Sequence, residues 1–190
     1  VSAYSLYVIS LMADRNTFNS TSGGLGIFLS NVAAGNVKNN KIYNYKAGIN
    51  ILSLASYADL YNNEISGDSV GVQINNGTIN LAPQGSSYTG GFNRISEASS
   101  SANNVKTVLG YFYTESGLNT FNINNNSTAY HFGGTYNASG SNVSVEIPAE
   151  ENCFKLNGNE TTPRENVNCI SGLNCDVTFT FDPTVCAINQ

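Results

Sequence analysis

Asn40-Lys41-Ile42 is followed by Gly48-Ile49-Asn50-Ile51, and the same arrangement returns 23 residues later as Asn63-Glu64-Ile65 and Gly71-Val72-Gln73-Ile74. Asn16-Thr17-Phe18 with Gly26-Ile27-Phe28-Leu29 extends the series upstream. Asn93-Arg94-Ile95 and Asn119-Thr120-Phe121 extend it downstream with looser spacing. A repeat of this length cannot bury its own apolar residues; it must stack on its neighbours. The pattern predicts coils of about 22 to 24 residues, each with two or three short strands pairing in parallel with the next coil at roughly 4.8 Å.

Stacking turns equivalent positions into columns. Phe18, Ile42, Ile65, Ile95 and Phe121 form one apolar column, Ile27, Ile49 and Val72 a second, and Leu29, Ile51 and Ile74 a third. Asn16, Asn40, Asn63, Asn93 and Asn119 form a turn column. Asn tolerates left-handed backbone, and its amide can bond the amide of the next coil, so the column is expected to be a structural ladder. The Gly before the second strand is expected to supply a bend or a positive φ. Thr17, Lys41, Glu64, Arg94 and Thr120 should point outward as a surface ladder of alternating charge, worth about 0.2–1 kcal/mol per neighbouring pair.

Composition agrees with a β fold. Only 11% of the 190 residues are charged, against about 25% in ordinary globular domains, while hydrophobic content reaches 41%. The surface is therefore covered by neutral polar groups. The net charge is −5, and the 8 Lys and Arg do not cluster, which argues against a nucleic-acid partner. No apolar run approaches the roughly 18 residues of a membrane span. Val1–Met12 lacks the basic start and cleavage site of a signal peptide. Because the chain begins without Met, it is expected to be processed or cut from something longer.

The four cysteines, Cys153, Cys169, Cys175 and Cys186, fall in the last fifth of the chain without a CxxC pair, and the single His131 lies apart. Disulfides in an exported protein fit this better than a zinc site. Four cysteines allow three pairings. The short loops favour Cys153 with Cys169 and Cys175 with Cys186.

The Asn-x-apolar and Gly-apolar segments at 40–49 and 63–72 resemble the repeat of the pectate-lyase-like superfamily. The resemblance covers about residues 14–135 and implies an all-β, right-handed, single-stranded parallel β-helix. Five to six coils would occupy residues 1–147, with a disulfide-stapled C-terminal cap over 148–190. The motif marks a fold shared by polysaccharide lyases and hydrolases, tailspikes, adhesins and filament proteins, and selects none of them.

Residues 76–104 interrupt the regular coil. Ile79–Leu81, after Asn76-Gly77-Thr78, reads as an extra strand, 83–91 as a Gly/Ser-rich loop, and 96–104 as a polar insertion. Strands are expected at 105–113, 128–132, 143–147 and 175–181. Glycan cleavage needs clustered carboxylates, whereas Asp14, Asp59, Glu64, Asp68 and Glu97 are scattered over turns. His131 reads as a structural wall histidine. Tyr43, Tyr61, Tyr88 and Tyr111 are the candidate glycan contacts. No catalytic residue, cofactor or metal is expected. The expected function is an extracellular structural or adhesive β-solenoid, self-assembling or bound to a host or glycan surface. The alternative is a polysaccharide-binding or polysaccharide-cleaving β-helix.

Overall fold

The computed structural model describes residues 2–3, 10–67, 69–85, 88–97, 103–114, 117–123, 129–136, 143–169, 175–181 and 186. Among these the protein is all-β and has no α-helix. Most strands pair in parallel, and they form three ladders.

The first ladder runs Ser2–Ala3, Leu25–Ser30, Ala47–Leu52, Val70–Asn75, Asn103–Tyr113, Tyr130–Tyr136 and Glu165–Cys169. The second runs Thr17–Asn19, Lys41–Tyr43, Glu64–Gly67, Arg94–Glu97, Thr120–Ile123 and Cys153–Leu156. The third runs Leu11–Asp14, Gly35–Lys38, Tyr57–Tyr61, Thr78–Asn80 and the end of Asn103–Tyr113. That long strand belongs to the first and third ladders at once, with a register shift between Val108 and Gly110. Through it the two ladders form one 11-stranded sheet. The chain visits the third, second and first ladders in turn, an arrangement compatible with a solenoid. Thr78–Asn80, which overlaps the extra strand expected at Ile79–Leu81, is an ordinary member of the third ladder.

The registers reproduce the columns. Phe18 pairs with Ile42, Ile42 with Ile65, Ile65 with Ile95 and Ile95 with Phe121. Ile27 pairs with Ile49 and Ile49 with Val72, while Leu29 pairs with Ile51 and Ile51 with Ile74. Apart from Phe18, all of these side chains are buried in one core. Toward the C-terminal coils the filling changes from aliphatic to aromatic. Val105 pairs with Phe132 and Phe121 with Phe154. The rings of Phe132 and Phe179 stack at 4.8 Å, and Phe112 and Phe132 at 5.3 Å. Such pairs add about 0.5–1.5 kcal/mol each beyond area burial. Parallel pairing continues past residue 148, since Cys153–Leu156 and Glu165–Cys169 extend the second and first ladders. Val143–Pro148 pairs separately with Cys175–Thr180.

Two local expectations are corrected. Gly26 and Gly48 are absent from the positive-φ residues. Their role is space: a Cβ on Gly48 would stand 2.5 Å from Ile65 Cγ2, and one on Gly26 would stand 2.5 Å from the Gly48 carbonyl oxygen. The favoured cysteine pairing is also overturned. Cys153 bonds Cys186 across 33 residues, with Cα atoms 4.6 Å apart. Short-loop reasoning ignored the ladders. Cys153 opens a strand of the second ladder and Cys169 ends one in the first, so nearness in sequence does not place them together. The side chains of Cys169 and Cys175 lie outside the described residues.

Candidate functional site: the asparagine corner and its outer groove

Between the third and second ladders the chain turns in two residues at 15–16, 39–40 and 62–63 and through longer connections at 81–93 and 114–119, and in each case the last residue is Asn. Asn16, Asn40, Asn63, Asn93 and Asn119 are joined into one directional ladder. Asn40 donates its backbone N–H and its Nδ2 to Asn63 Oδ1 at 3.1 and 3.0 Å. Asn63 donates likewise to Asn93, and Asn93 to Asn119. Asn16 begins the ladder by donating to Asn40 Oδ1. A sixth member, Asn152, receives both donors of Asn119 at 2.9–3.0 Å. From Asn40 onward the amides are buried and also bond main-chain carbonyls, as in Asn63 Nδ2 to Val37 O at 2.7 Å. Buried amides are tolerable only when paired in this way.

The left-handed residue of each turn is the one before the ladder Asn, which corrects the assignment of that conformation to the Asn itself. Arg15, Asn39, Asn62, Phe92, Leu118 and Glu151 have φ of 55°, 56°, 49°, 52°, 51° and 57°. Division of labour explains this: one residue bends the chain outward, and the next turns its amide inward.

Outside the corner lies a second polar run of opposite direction. Asn39 Nδ2 donates to Asp14 Oδ1 at 2.9 Å, and Asn62 Nδ2 donates to Asn39 Oδ1 at 2.9 Å. At the equivalent position of the next coil stands Phe92, 37% exposed, whose ring meets Tyr61 edge-on at 5.9 Å. Parallel to this column, two positions on, run Lys41, Glu64 and Arg94 in register. Between the two outer columns is a depression of about 250 Å³, floored by Asn40 and Asn63.

The outward charges do not form the continuous ladder expected from sequence. Lys41 Nζ stands 4.0 Å from Glu64, both side chains being about half exposed. The Tyr43 phenol also stands within electrostatic reach of Glu64. Partial burial chiefly, helped by that carboxylate, raises the Tyr43 phenol above its ordinary value. Glu64 thus pairs with Lys41 of the preceding coil. No described carboxylate lies within ion-pair distance of Arg94.

The tyrosines singled out in the sequence are not brought onto one face. Tyr43 lies on the second ladder, and Tyr61 and Tyr111 on the third. The side chain of Tyr88 lies outside the described residues. What the third ladder does assemble is a cluster that sequence reading missed. Tyr57 Oη donates to Asp59 Oδ1 at 2.7 Å, and Asn80 Nδ2 bonds both, at 3.1 and 2.8 Å. Burial first, then the Asp59 bond, pushes the Tyr57 phenol up to about 12. Tyr113, 56% exposed, is in register with Asn80 on the next coil. The only sequence signal was Tyr57-Ala58-Asp59, whose alternation puts the two polar residues on one face.

Chemically, Asp14, Asp59 and Glu64 are engaged separately, and the buried Glu150 Oε2 has no hydrogen-bond partner among the described residues. Asp14 faces Lys38 at 3.9 Å and Arg15 at 3.7 Å, Asp59 serves Tyr57 and Asn80, and Glu64 serves Lys41. His131 is buried. It accepts the Arg164 N–H at Nδ1 (2.9 Å), which leaves its proton on Nε2 facing the Lys155 carbonyl at 3.0 Å. Burial lowers it to about 4, so at neutral pH it is an uncharged tie between coils. Among the described residues no three metal-ligating side chains gather, and no helix is long and apolar enough to cross a membrane.

No family model, curated protein or solved structure matches the chain. The assignment of function therefore rests on the geometry alone.

Proposed function

We propose that the chain is a right-handed, single-stranded parallel β-helix acting as an extracellular structural and adhesive scaffold, its corner and third-ladder wall presented to a partner surface. The observation that supports this most is the asparagine ladder. Six successive turns place an amide in line, five of them buried, which holds the repeats in register and leaves the outer columns free to carry contacts. The disulfide fits an oxidising compartment. A glycan-binding reading of the same scaffold draws on the exposed aromatic and amide groups of the outer groove. End-to-end assembly into a filament would use the same stacking of coils.

Antibody labelling of intact and permeabilised source cells tests the location, and electron microscopy of the purified protein tests the assembly. Labelling of intact cells with Cys153–Cys186 oxidised is the expected result. Labelling only after permeabilisation, with both thiols reduced, would overturn the extracellular scaffold. Monodisperse short rods would remove the filament version and keep the adhesive one.

A further inference from the structure

We propose that the depression between the corner column and the Lys41-Glu64-Arg94 column is a binding site for one acidic sugar ring, with Phe92 as the stacking face and Arg94 as the carboxylate anchor. The proposal rests on the adhesive reading above and gives it a ligand class.

The volume sets the scale. About 250 Å³ lies below the range of roughly 300–1,000 Å³ typical of drug-sized ligands, so a single ring is the natural occupant. The lining sets the chemistry. Phe92 presents an exposed aromatic ring, and Tyr61 packs against its edge and fixes its orientation. An aromatic face accepts the apolar face of a sugar. Asn62 donates to Asn39, but its own Oδ1 receives no hydrogen bond from a described residue, because the next coil carries Phe92 where another Asn would continue the run. Asn62 lines the depression, where an amide oxygen suits a ligand hydroxyl.

The charges then choose between a neutral and an acidic ring. Lys41 pairs with Glu64 from the preceding coil, while Arg94 sits one coil further on, in register with Glu64. No described acid reaches Arg94. A guanidinium lining the same depression as an aromatic ring, with no carboxylate partner among the described residues, suits a ligand carboxylate that it can hold through two parallel hydrogen bonds. Phe92 and Arg94 flank the buried Asn93, so the ladder bond from Asn93 to Asn119 at 2.9 Å sets their relative position.

The test uses two probes with the same ring, methyl β-glucuronide and methyl β-glucoside, titrated into the whole chain and followed by saturation-transfer NMR. The expected result is tighter binding of the glucuronide by about tenfold, the scale of one charge-assisted hydrogen bond. Arg94→Gln should abolish that preference, and Phe92→Asn should weaken both probes. Phe92→Asn suits the left-handed backbone at this position and repeats the residue found at 39 and 62, so the fold survives it. Equal binding of the two probes, no saturable binding of either, or binding lost on Tyr113→Ser but not on Arg94→Gln would overturn the site. Each of these outcomes leaves the scaffold reading to its own cell-surface labelling test.

Discussion

Asn63 Nδ2 donates to Asn93 Oδ1 at 2.9 Å although the two residues stand 30 positions apart in the chain. Asn63 also accepts both donors of Asn40 and donates to the Val37 carbonyl. Replacing it with Ala strips partners from several buried groups at once, each worth about 1–3 kcal/mol when left unsatisfied. Asn63→Ala should therefore destabilise the protein by roughly 3–5 kcal/mol. Asn16→Ala, at an exposed end of the ladder, keeps the backbone donor to Asn40 and removes only Nδ2, which bonds Asn40 Oδ1 and the Asp14 carbonyl, and should cost about 1 kcal/mol or less. Urea unfolding of both variants checks the ordering; similar losses at the two sites would mean that the ladder is not cooperative.

The ladder also shows what the sequence could and could not display. Positions whose chemistry is uniform, such as Ile42, Ile65 and Ile95 or the five asparagines, announce themselves by identity and spacing. Asn152-Cys153-Phe154 obeys the same Asn-x-apolar rule, but its 33-residue separation from Asn119 and its cysteine hid it. The left-handed position was illegible because its occupants share no chemistry: Arg15, Asn39, Asn62, Phe92, Leu118 and Glu151 have only a φ in common. The third ladder was overlooked because its inward residues are small or irregular, as in Ala13, Val37 and Leu60. The outer groove depends on which neighbour Glu64 chooses, and a linear pattern of alternating charge does not contain that choice.

Gly48 is fixed by crowding. A Cβ there would meet Ile65 Cγ2 at 2.5 Å and the Gly71 carbonyl at 2.9 Å. Gly48→Ala should destabilise by about 1–3 kcal/mol, the usual cost of overpacking. The helix and strand propensity of Ala would lead to the opposite expectation, since Gly is normally the poorer residue in a strand interior. Thermal denaturation of this variant separates the two: a raised midpoint would show that the coil spacing yields easily.

The Cys153–Cys186 bond closes a loop of 33 residues. In the chain-entropy model a loop of that size restrains the unfolded state by roughly 3–4 kcal/mol. Cys186→Ser should cost about that much, because Cys153 is buried at the start of a second-ladder strand and its partner is held beside the Phe154 carbonyl. Peptide mapping of the unreduced protein should recover the fragments of 153 and 186 together. A fragment joining 153 to 169 would contradict the fold of the last coil.

His131 gives the molecule an acid sensitivity of defined sign. Burial chiefly, with the Arg164 charge opposing protonation as well, holds the folded ring at about 4 against an ordinary 6.5, while its bond to the Lys155 carbonyl pulls the other way. Between those two values the unfolded chain binds more protons than the folded one, so stability rises with pH across the window. The contribution is complete above about pH 6.5 and is lost as pH falls toward 4. The full swing is roughly 3 kcal/mol on the scale of about 1.4 kcal/mol per pH unit. Below pH 4 both states carry the charge and this dependence ends. Protonation would also convert Nδ1 from an acceptor of the Arg164 N–H into a competing donor, which ties the loss to the join between Tyr130–Tyr136 and the final coil. His131→Gln should be less stable at pH 7 and should flatten the profile between pH 4 and 6.5. Urea midpoints measured at half-unit steps provide the check, and an unchanged slope in the variant would place the acid sensitivity elsewhere.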